Sequence, residues 1–229
     1  MNLTQRISTC ISRAAISIVV LLACSSADAQ KLFRLEKDSI PIMRGFQLSF
    51  DLVGAGHMIL SDYGQWEAAL RLNLHDQWYP VFELGYGKAE RLNDEVTEIS
   101  YTTEAPYFRA GIDFNLLRKK HLGNSLFAGI RYAYTSYKVD VWHPDFKDPI
   151  WGWNTSYDVR EVPCSQHWLE FVVGLDAKVF GPLHLGWSVR YRQRLSHDDG
   201  IIGRTWYVPG FGTSDNSNIG GTFNFIIDI

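Results

Sequence analysis

The sequence predicts an all-β chain that folds as an eight-stranded antiparallel up-and-down transmembrane β-barrel. Three observations lead to this prediction: an export signal at the N-terminus, eight stretches in which apolar and polar residues alternate, and connections between those stretches that are alternately long and short. They indicate architecture and location much more firmly than they indicate an activity.

Residues 1–29 have the pattern of a secretory signal peptide. A basic start, an apolar run over 14–23 and a small-x-small motif predict cleavage just before Gln30. An alternative is a lipobox that ends at Cys24, which would then carry a lipid anchor. In either case we expect residues 30–43 to form a periplasmic lead-in and residues 44–229 to form the barrel.

Composition excludes several classes of protein. Removal of the signal leaves 20 basic and 24 acidic side chains, a formal net charge of −4, which argues against a nucleic-acid partner. Cys164 is then the one remaining cysteine, so neither an internal disulfide nor a cysteine-based metal cluster is expected. The mature chain has no apolar run of about 18 residues, which excludes a helical membrane span. No metal site or cofactor is predicted, because phosphate-binding glycine loops and zinc-ligand spacings are missing from the sequence.

Each predicted strand has a period of two residues, so one face is apolar and the other polar. In the first strand, for example, Phe46 and Leu48 share one face while Gln47 and Ser49 share the other. The predicted strands cover residues 45–53, 66–74, 82–87, 108–116, 126–135, 169–178, 183–192 and 223–229.

The connections predict an orientation. Those at residues 75–76, 118–124 and 180–182 are brief, whereas those at 54–63, 88–105, 137–164 and 196–219 are longer. Outer-membrane barrels have an even number of strands, short periplasmic turns and longer loops outside. We therefore expect a bacterial outer-membrane protein whose two termini lie in the periplasm.

The polar faces predict a filled lumen. An eight-stranded barrel encloses just enough space for side chains, and unpaired charges there are costly, so acids and arginines should pair across it. Glycines interspersed along these faces would make room for the long side chains. The predicted network is Glu67, Arg71, Glu83, Arg109, Asp113, Arg131, Glu170, Asp176 and Arg190. The alternative is a soluble lipocalin-like carrier, in which the apolar face would point inward and the arginines outward.

Several glycine- and aromatic-rich segments resemble an uncharacterised outer-membrane barrel family of Bacteroidales, known as a domain of unknown function. These segments are residues 82–87, 106–115, 129–132, 186–191 and 207–212. The resemblance covers nearly all of the mature chain and implies fold and location, with no catalytic or binding residues to transfer. One departure from such barrels is the last residue, which is usually Phe or Tyr and here is Ile229.

Candidate binding residues lie in the two longest loops. Aromatic rings beside carboxylates can stack on sugar rings and accept their hydroxyl hydrogens, which predicts a surface that faces glycans. The alternative is that the rings pack the loops together and anchor them at the lipid headgroups. The candidates are Trp142, His143, Trp151, Trp153, Trp206 and Tyr207.

A catalytic alternative rests on Ser165 and His167, which would point to the same side of the sixth strand, with Glu161 near in sequence. A serine activated by a histidine is suited to acyl transfer, as in a lipid-modifying hydrolase. No oxyanion-hole motif accompanies the pair. The preferred hypothesis is a non-enzymatic, monomeric barrel that contacts outer-membrane lipid and presents its loops to a glycan or an envelope protein.

Overall fold

The computed structural model describes residues 41–94, 98–117, 121, 123–147 and 150–229. The predicted signal peptide, Cys24 and most of the predicted lead-in therefore lie outside the described residues. Within the described part of the chain, no helix has the length and apolarity needed to cross a membrane.

Eight antiparallel strands close into a barrel, each paired with its neighbours in sequence, and the last strand pairs with the first. The barrel strands are β1 (Met43–Asp51), β2 (Tyr63–Leu74), β3 (Trp78–Arg91), β4 (Ser100–Asn115), β5 (Ser125–Lys147), β6 (Asn154–Phe180), β7 (Leu183–Asp198) and β10 (Ser217–Asp228). Between β7 and β10 lies a small hairpin of β8 (Tyr207–Val208) and β9 (Gly212–Thr213). The predicted fold class is confirmed.

The apolar faces point outward along the barrel. Leu70 and Val173 are 46% and 55% exposed, whereas Arg109, Arg131 and Arg190 are at most 2% exposed. The soluble lipocalin-like alternative is therefore wrong, because it requires the opposite arrangement of these side chains.

Short turns lie at one end of the barrel, called here the turn end, and the longer connections lie at the loop end. At the loop end the strands are longer than predicted, most of all where a loop was expected over residues 137–164. β5 and β6 continue as a paired hairpin through most of that stretch. In this extension apolar and polar residues still alternate, but the apolar side chains now point inward and the polar ones outward. Tyr137 and Val139 are buried inside, while Lys138 is exposed outside. The loop was predicted wrongly because only stretches with apolar residues on the outward face were taken as strands.

The connection predicted as a loop over residues 54–63 contains the helix α1 (Leu52–Leu60). Asp51 caps this helix, because its carboxylate accepts hydrogen bonds from the backbone N–H groups of Val53 and Gly54 at 3.1 Å each. An aspartate in this position satisfies donors that have no partner within the helix. The alternation of apolar and polar residues in the sequence gives no sign of this helix.

Candidate functional site

The lumen contains a dense network of charged side chains with Arg109 at its centre. Its guanidinium contacts Glu67, lies 3.2 Å from Glu83, and places Nε 2.8 Å from Glu170. Arg190 contacts the same three carboxylates, with Nη1 2.9 Å from both Glu67 and Glu83 and 3.7 Å from Glu170. Two arginines from different sides of the barrel thus share three glutamates.

The network continues toward the turn end through Arg131 and Arg71. Arg131 lies 2.8 Å from Glu83 and 2.9 Å from Asp113. Arg71 lies 3.1 Å from Asp113 and 2.5 Å from Asp176, and its guanidinium also stacks on a buried phenylalanine ring, with Cζ 4.3 Å from the centroid. Each carboxylate therefore meets at least one guanidinium, as the cost of an unpaired buried charge requires.

All nine side chains predicted for the lumen are buried and belong to this one network. The prediction omitted Arg192, which is 7% exposed and holds Nε 3.4 Å from Glu170. Its signal in the sequence was its position two residues after Arg190 on the same face of β7. With Arg192 included, five guanidiniums face five carboxylates.

Little space is left between these side chains. A void of about 10 Å³ lies beside Glu67, Glu83 and Arg190, which is room for about one water molecule. Glycine makes the packing possible, since a Cβ at Gly129 would lie 1.9 Å from the Asp113 carboxylate. In the part of the chain that the structure describes, the lumen is filled.

A segment between two barrel strands closes the loop end. The connection between β7 and β10 folds back into the mouth of the barrel, and its Val208 and Phe211 side chains are fully buried. We call residues 199–216 the plug. Two arginines of the lumen hold it, because Arg109 donates to the Gly210 carbonyl and Arg192 to the Phe211 carbonyl, both at 2.8 Å.

The plug depends on a close approach at Gly210. This residue has a φ of +81°, and a Cβ there would lie 2.5 Å from the ring of Tyr107. Phe211 then packs edge-on against Trp168, with centroids 5.7 Å apart. Sequence reasoning treated this segment as an outward loop, although its combination of glycine and aromatic residues was a signal for tight packing.

Beside the plug lies an open cavity of about 390 Å³, called here the mouth cavity. It is bounded by α1, the start of β2, the β8–β9 hairpin and the start of β10, with Arg192 among its lining residues. Tyr63 and Trp206 meet edge-on at its rim, with centroids 6.4 Å apart. This combination of aromatic rings and a buried cation is absent from the sequence-based predictions.

The predicted loop aromatics separate into two groups. Trp142, His143, Trp151 and Trp153 belong to the β5–β6 hairpin and its tip, where Trp151 and Trp153 are 70% and 73% exposed with centroids 6.4 Å apart. Trp142 is half-buried under the guanidinium of Arg160, whose Cζ lies 4.5 Å from the ring centroid. The tip tryptophans are accessible to a partner.

Trp206 and Tyr207 instead belong to the plug. Tyr207 is 4% exposed, and its carbonyl accepts a 2.8 Å hydrogen bond from the Tyr101 hydroxyl. Burial raises the pKa of Tyr207 to about 12. Trp206 is half-buried at the mouth cavity. Tyr207 therefore stabilises the closed mouth. Both residues line the mouth cavity, and Trp206 is the more exposed of the two.

Ser165 and His167 do point to the same outward side of β6. His167, however, contacts other residues, because Nδ1 bonds the Tyr132 hydroxyl and the ring packs against Tyr134 with centroids 4.5 Å apart. Glu161 is exposed and lies 3.5 Å from Lys138. The geometry thus gives the histidine and the acid other partners, and the catalytic role stays a prediction.

A polar cluster organises the turn end, beside a cavity of about 190 Å³. Asp76 contacts Arg44, accepts a 2.7 Å hydrogen bond from Asn73, and lies 2.7 Å from Nδ1 of His121. Burial would raise the pKa of Asp76, but the hydrogen bonds from His121, Asn73 and Arg44 hold this pKa below its usual value. The cluster fixes the β2–β3 turn to its surroundings.

Solved structures of similar shape include Neisserial surface protein A, at 10% identity and a TM-score of 0.46, with 82% of this chain and 99% of that chain covered. Ail of Yersinia pestis is similar at 13% identity and a TM-score of 0.38, covering 81% and 99%. CarO2 of Acinetobacter baumannii follows at 11% identity and a TM-score of 0.38, covering 83% and 100%. Similarity at this level says nothing about what the chain binds. None of the curated proteins matches it.

The resemblance proposed from the glycine- and aromatic-rich segments is confirmed as far as a domain of unknown function, while the Bacteroidales origin stays a prediction. The family model matches residues 8–228, which is almost the whole chain. The chain belongs to the family described as a domain of unknown function, DUF6048.

Proposed function

We propose that the protein is an integral outer-membrane β-barrel with a sealed lumen and a non-enzymatic structural or surface-binding role. The observation that carries this proposal is the division between the two faces of the barrel. Outward side chains are apolar where inward side chains are ionic. Such a surface is stable in hydrocarbon and would aggregate in water.

The height of the apolar surface supports a membrane position. On β5 the outward apolar residues extend from Leu126 to Tyr134, eight steps of about 3.4 Å, or about 27 Å along the strand. A strand tilt of about 40° converts this length to about 21 Å of barrel height, close to the roughly 25 Å expected of outer-membrane barrels. Beyond Tyr134 the outward residues become polar, beginning with Ser136 and Lys138.

Aromatic side chains mark the upper edge of this apolar surface. Outward rings lie on neighbouring strands close to the loop end, as expected at a membrane interface. They belong to Trp66, Tyr86, Phe108, Tyr134 and Tyr191. Toward the turn end, Trp78 and Phe114 pack edge-on with centroids 4.8 Å apart. These positions support contact with outer-membrane lipid.

The filled lumen argues against a transport channel. Solute would have to displace both the plug and the paired charges below it, and separating a buried ion pair costs several kcal/mol. The exposed hairpin tip, with Trp151 and Trp153, supports the surface-binding part of the proposal, toward a glycan or an envelope protein.

Cysteine labelling tests the insertion and its direction. Cys164 is buried, so a variant cysteine gives the main signal. Ile150→Cys at the hairpin tip, where the native side chain is 80% exposed, should react with a membrane-impermeant maleimide on intact cells. Pro182→Cys, in the exposed β6–β7 turn, is the matched control and should react only after lysis. Labelling of both sites on intact cells, or recovery of the protein outside the outer-membrane fraction, would contradict the proposal.

The lipid-modifying alternative has its own test. Ser165→Ala should leave lipid A composition unchanged in cells that lack other lipid A hydrolases. The reason is that His167 contacts Tyr132 and Tyr134 and is not positioned by these contacts to activate Ser165. A change in lipid A acylation caused by this single substitution would favour the hydrolase.

A further inference from the structure

We propose that the mouth cavity binds an acidic sugar residue, whose carboxylate pairs with Arg192 and whose ring lies against Trp206 and Tyr63. The inference deepens the proposed surface-binding role, and it rests on that proposal in one respect, that the loop end faces outward. Three features of the cavity carry it: an incompletely paired cation, glycines that leave this cation accessible, and aromatic rings beside it.

Arg192 is the least compensated arginine of the lumen. Arg71 and Arg131 each pair with two carboxylates within 3.1 Å, and Arg109 and Arg190 each contact three. Arg192 approaches one carboxylate, through Nε at 3.4 Å, and donates from Nη1 to a plug carbonyl. Among the described residues nothing accepts from its Nη2. A guanidinium in this state gains from a ligand carboxylate.

Glycine keeps this guanidinium open to the cavity. Gly220 lies directly over it, since a Cβ at this position would be 3.0 Å from Nη2 and 3.2 Å from Cζ of Arg192. Gly212 borders the other side, where a Cβ would lie 3.8 Å from Nη1. Any larger residue at Gly220 would cover the atoms that the ligand needs.

The acidic residue of the cavity does not compete for Arg192. Both carboxylate oxygens of Asp51 accept backbone N–H groups, at 3.1 Å from Val53 and Gly54 and at 3.2 Å from Phe223. The negative charge of Asp51 is therefore held by backbone donors, and Arg192 remains available to an incoming anion.

The aromatic side of the cavity matches the apolar face of a sugar ring. Tyr63 is 44% exposed and contacts Tyr207 with centroids 5.6 Å apart, as well as Trp206 edge-on. Arg91 lies over the Trp206 ring, with Cζ 5.4 Å from the centroid, which fixes the indole in place. The volume of about 390 Å³ lies within the range of small-molecule sites and accommodates a sugar of one or two rings.

Two glycosides that differ in one group test the choice of ligand. Methyl glucuronide and methyl glucoside would be titrated into the full barrel, refolded in detergent, with saturation-transfer NMR and calorimetry as readouts. Because a hydrogen bond to a charged group strengthens binding by about tenfold or more, the glucuronide should bind at least about tenfold more tightly than the glucoside. Equal affinity of the two glycosides, or no binding of either, would overturn the proposal without affecting the membrane assignment.

Two glycine positions supply matched variants. Gly220→Val should weaken glucuronide binding by at least about tenfold, because the new side chain covers Arg192. Gly56→Val in α1 is the control, since its Cβ would meet nothing within 4 Å and Gly56 is not among the residues that line the mouth cavity. Heat-modifiable migration verifies that both variants fold. Unchanged binding by a folded Gly220→Val barrel would overturn the site.

Two further variants separate the mouth cavity from the hairpin tip. Trp206→Ala should weaken the binding of the glucuronide about three- to tenfold, from the usual contribution of one aromatic contact. Trp151→Ala, at the exposed tip, should change this binding less than twofold. The reverse pattern would move the sugar site to the tip and would contradict the proposal.

An acidic sugar has two possible sources, the lipopolysaccharide of the same membrane or a soluble glycan. Parallel titrations with lipopolysaccharide micelles and with a soluble glucuronate-terminated disaccharide distinguish the two sources. In each titration the binding of the wild type is compared with that of Gly220→Val. Loss in either arm supports the site and identifies its source, whereas loss in neither overturns it.

Discussion

Replacement of Arg109 by methionine is the most direct test of the charge network. The substitution keeps much of the side-chain volume but removes the guanidinium that contacts Glu67, Glu83 and Glu170. Arg190 still contacts all three glutamates, so the interior is left with about one uncompensated negative charge rather than three. Removal of one partner from a buried ionic group costs about 3–5 kcal/mol. At 1.4 kcal/mol per decade, this lowers the folding equilibrium constant by roughly two to three and a half powers of ten.

Urea unfolding of the refolded barrel, followed by heat-modifiable electrophoresis, measures this change. Lys138→Met is the matched control, because Lys138 forms a 3.5 Å ion pair with Glu161 in which both side chains are at least 65% exposed. Exposed pairs contribute about 0–1 kcal/mol, so the control should unfold nearly as the wild type does. If Arg109→Met lowers the free energy of unfolding no more than Lys138→Met does, the argument that paired buried charges hold the lumen together is refuted.

Three other substitutions test the turn end, the packing of the lumen and the plug. Asp76→Asn should destabilise the barrel near neutral pH, and its difference from the wild type should begin to shrink only below about pH 4, because the folded-state pKa of Asp76 lies below its usual value and the stability it contributes is lost as pH falls through that pKa; urea midpoints across pH would show this, and a constant difference would contradict it. Gly129→Ala should cost about 1–3 kcal/mol, since its Cβ would lie 1.9 Å from the Asp113 carboxylate, and an unfolding free energy equal to that of the wild type would refute the close approach. Phe211→Ala should make the plug sensitive to limited proteolysis while heat-modifiable migration persists; a protected plug would show that the buried ring does not hold it.

The lumen was predicted well because strand geometry converts sequence position directly into direction. Residues two apart on a strand point the same way, so Glu83 and Arg109 were assigned to the same interior without knowledge of their pairing. The partners themselves were not predictable. Arg190 contacts Glu67 and Glu83 across the barrel, and such contacts depend on closure and register, which no local pattern contains.

The loop end was predicted less well, for a different physical reason. The β5–β6 extension reverses the sense of its alternation once the outward face leaves the apolar zone, so Val139 and Cys164 appeared to be loop residues although they are buried. The helix α1 depends on a cap at Asp51, which lies within residues 45–53, the range of the predicted first strand. The rule that apolar side chains point outward therefore failed at the loop end, where the outer surface of the barrel is no longer apolar.

The sequence by itself determined the number of barrel strands, which face of each strand is apolar and which is polar, and the composition of the ionic interior, because all three follow from stretches with a period of two and from their charges. Only the tertiary structure decided that the plug folds back onto Arg109 and Arg192, and that the mouth cavity forms beside it. These features arise where residues distant in the chain approach within a few ångströms, as Gly210 and Tyr107 do. Such contacts are set by the closed barrel, which brings together groups that no short segment of sequence connects.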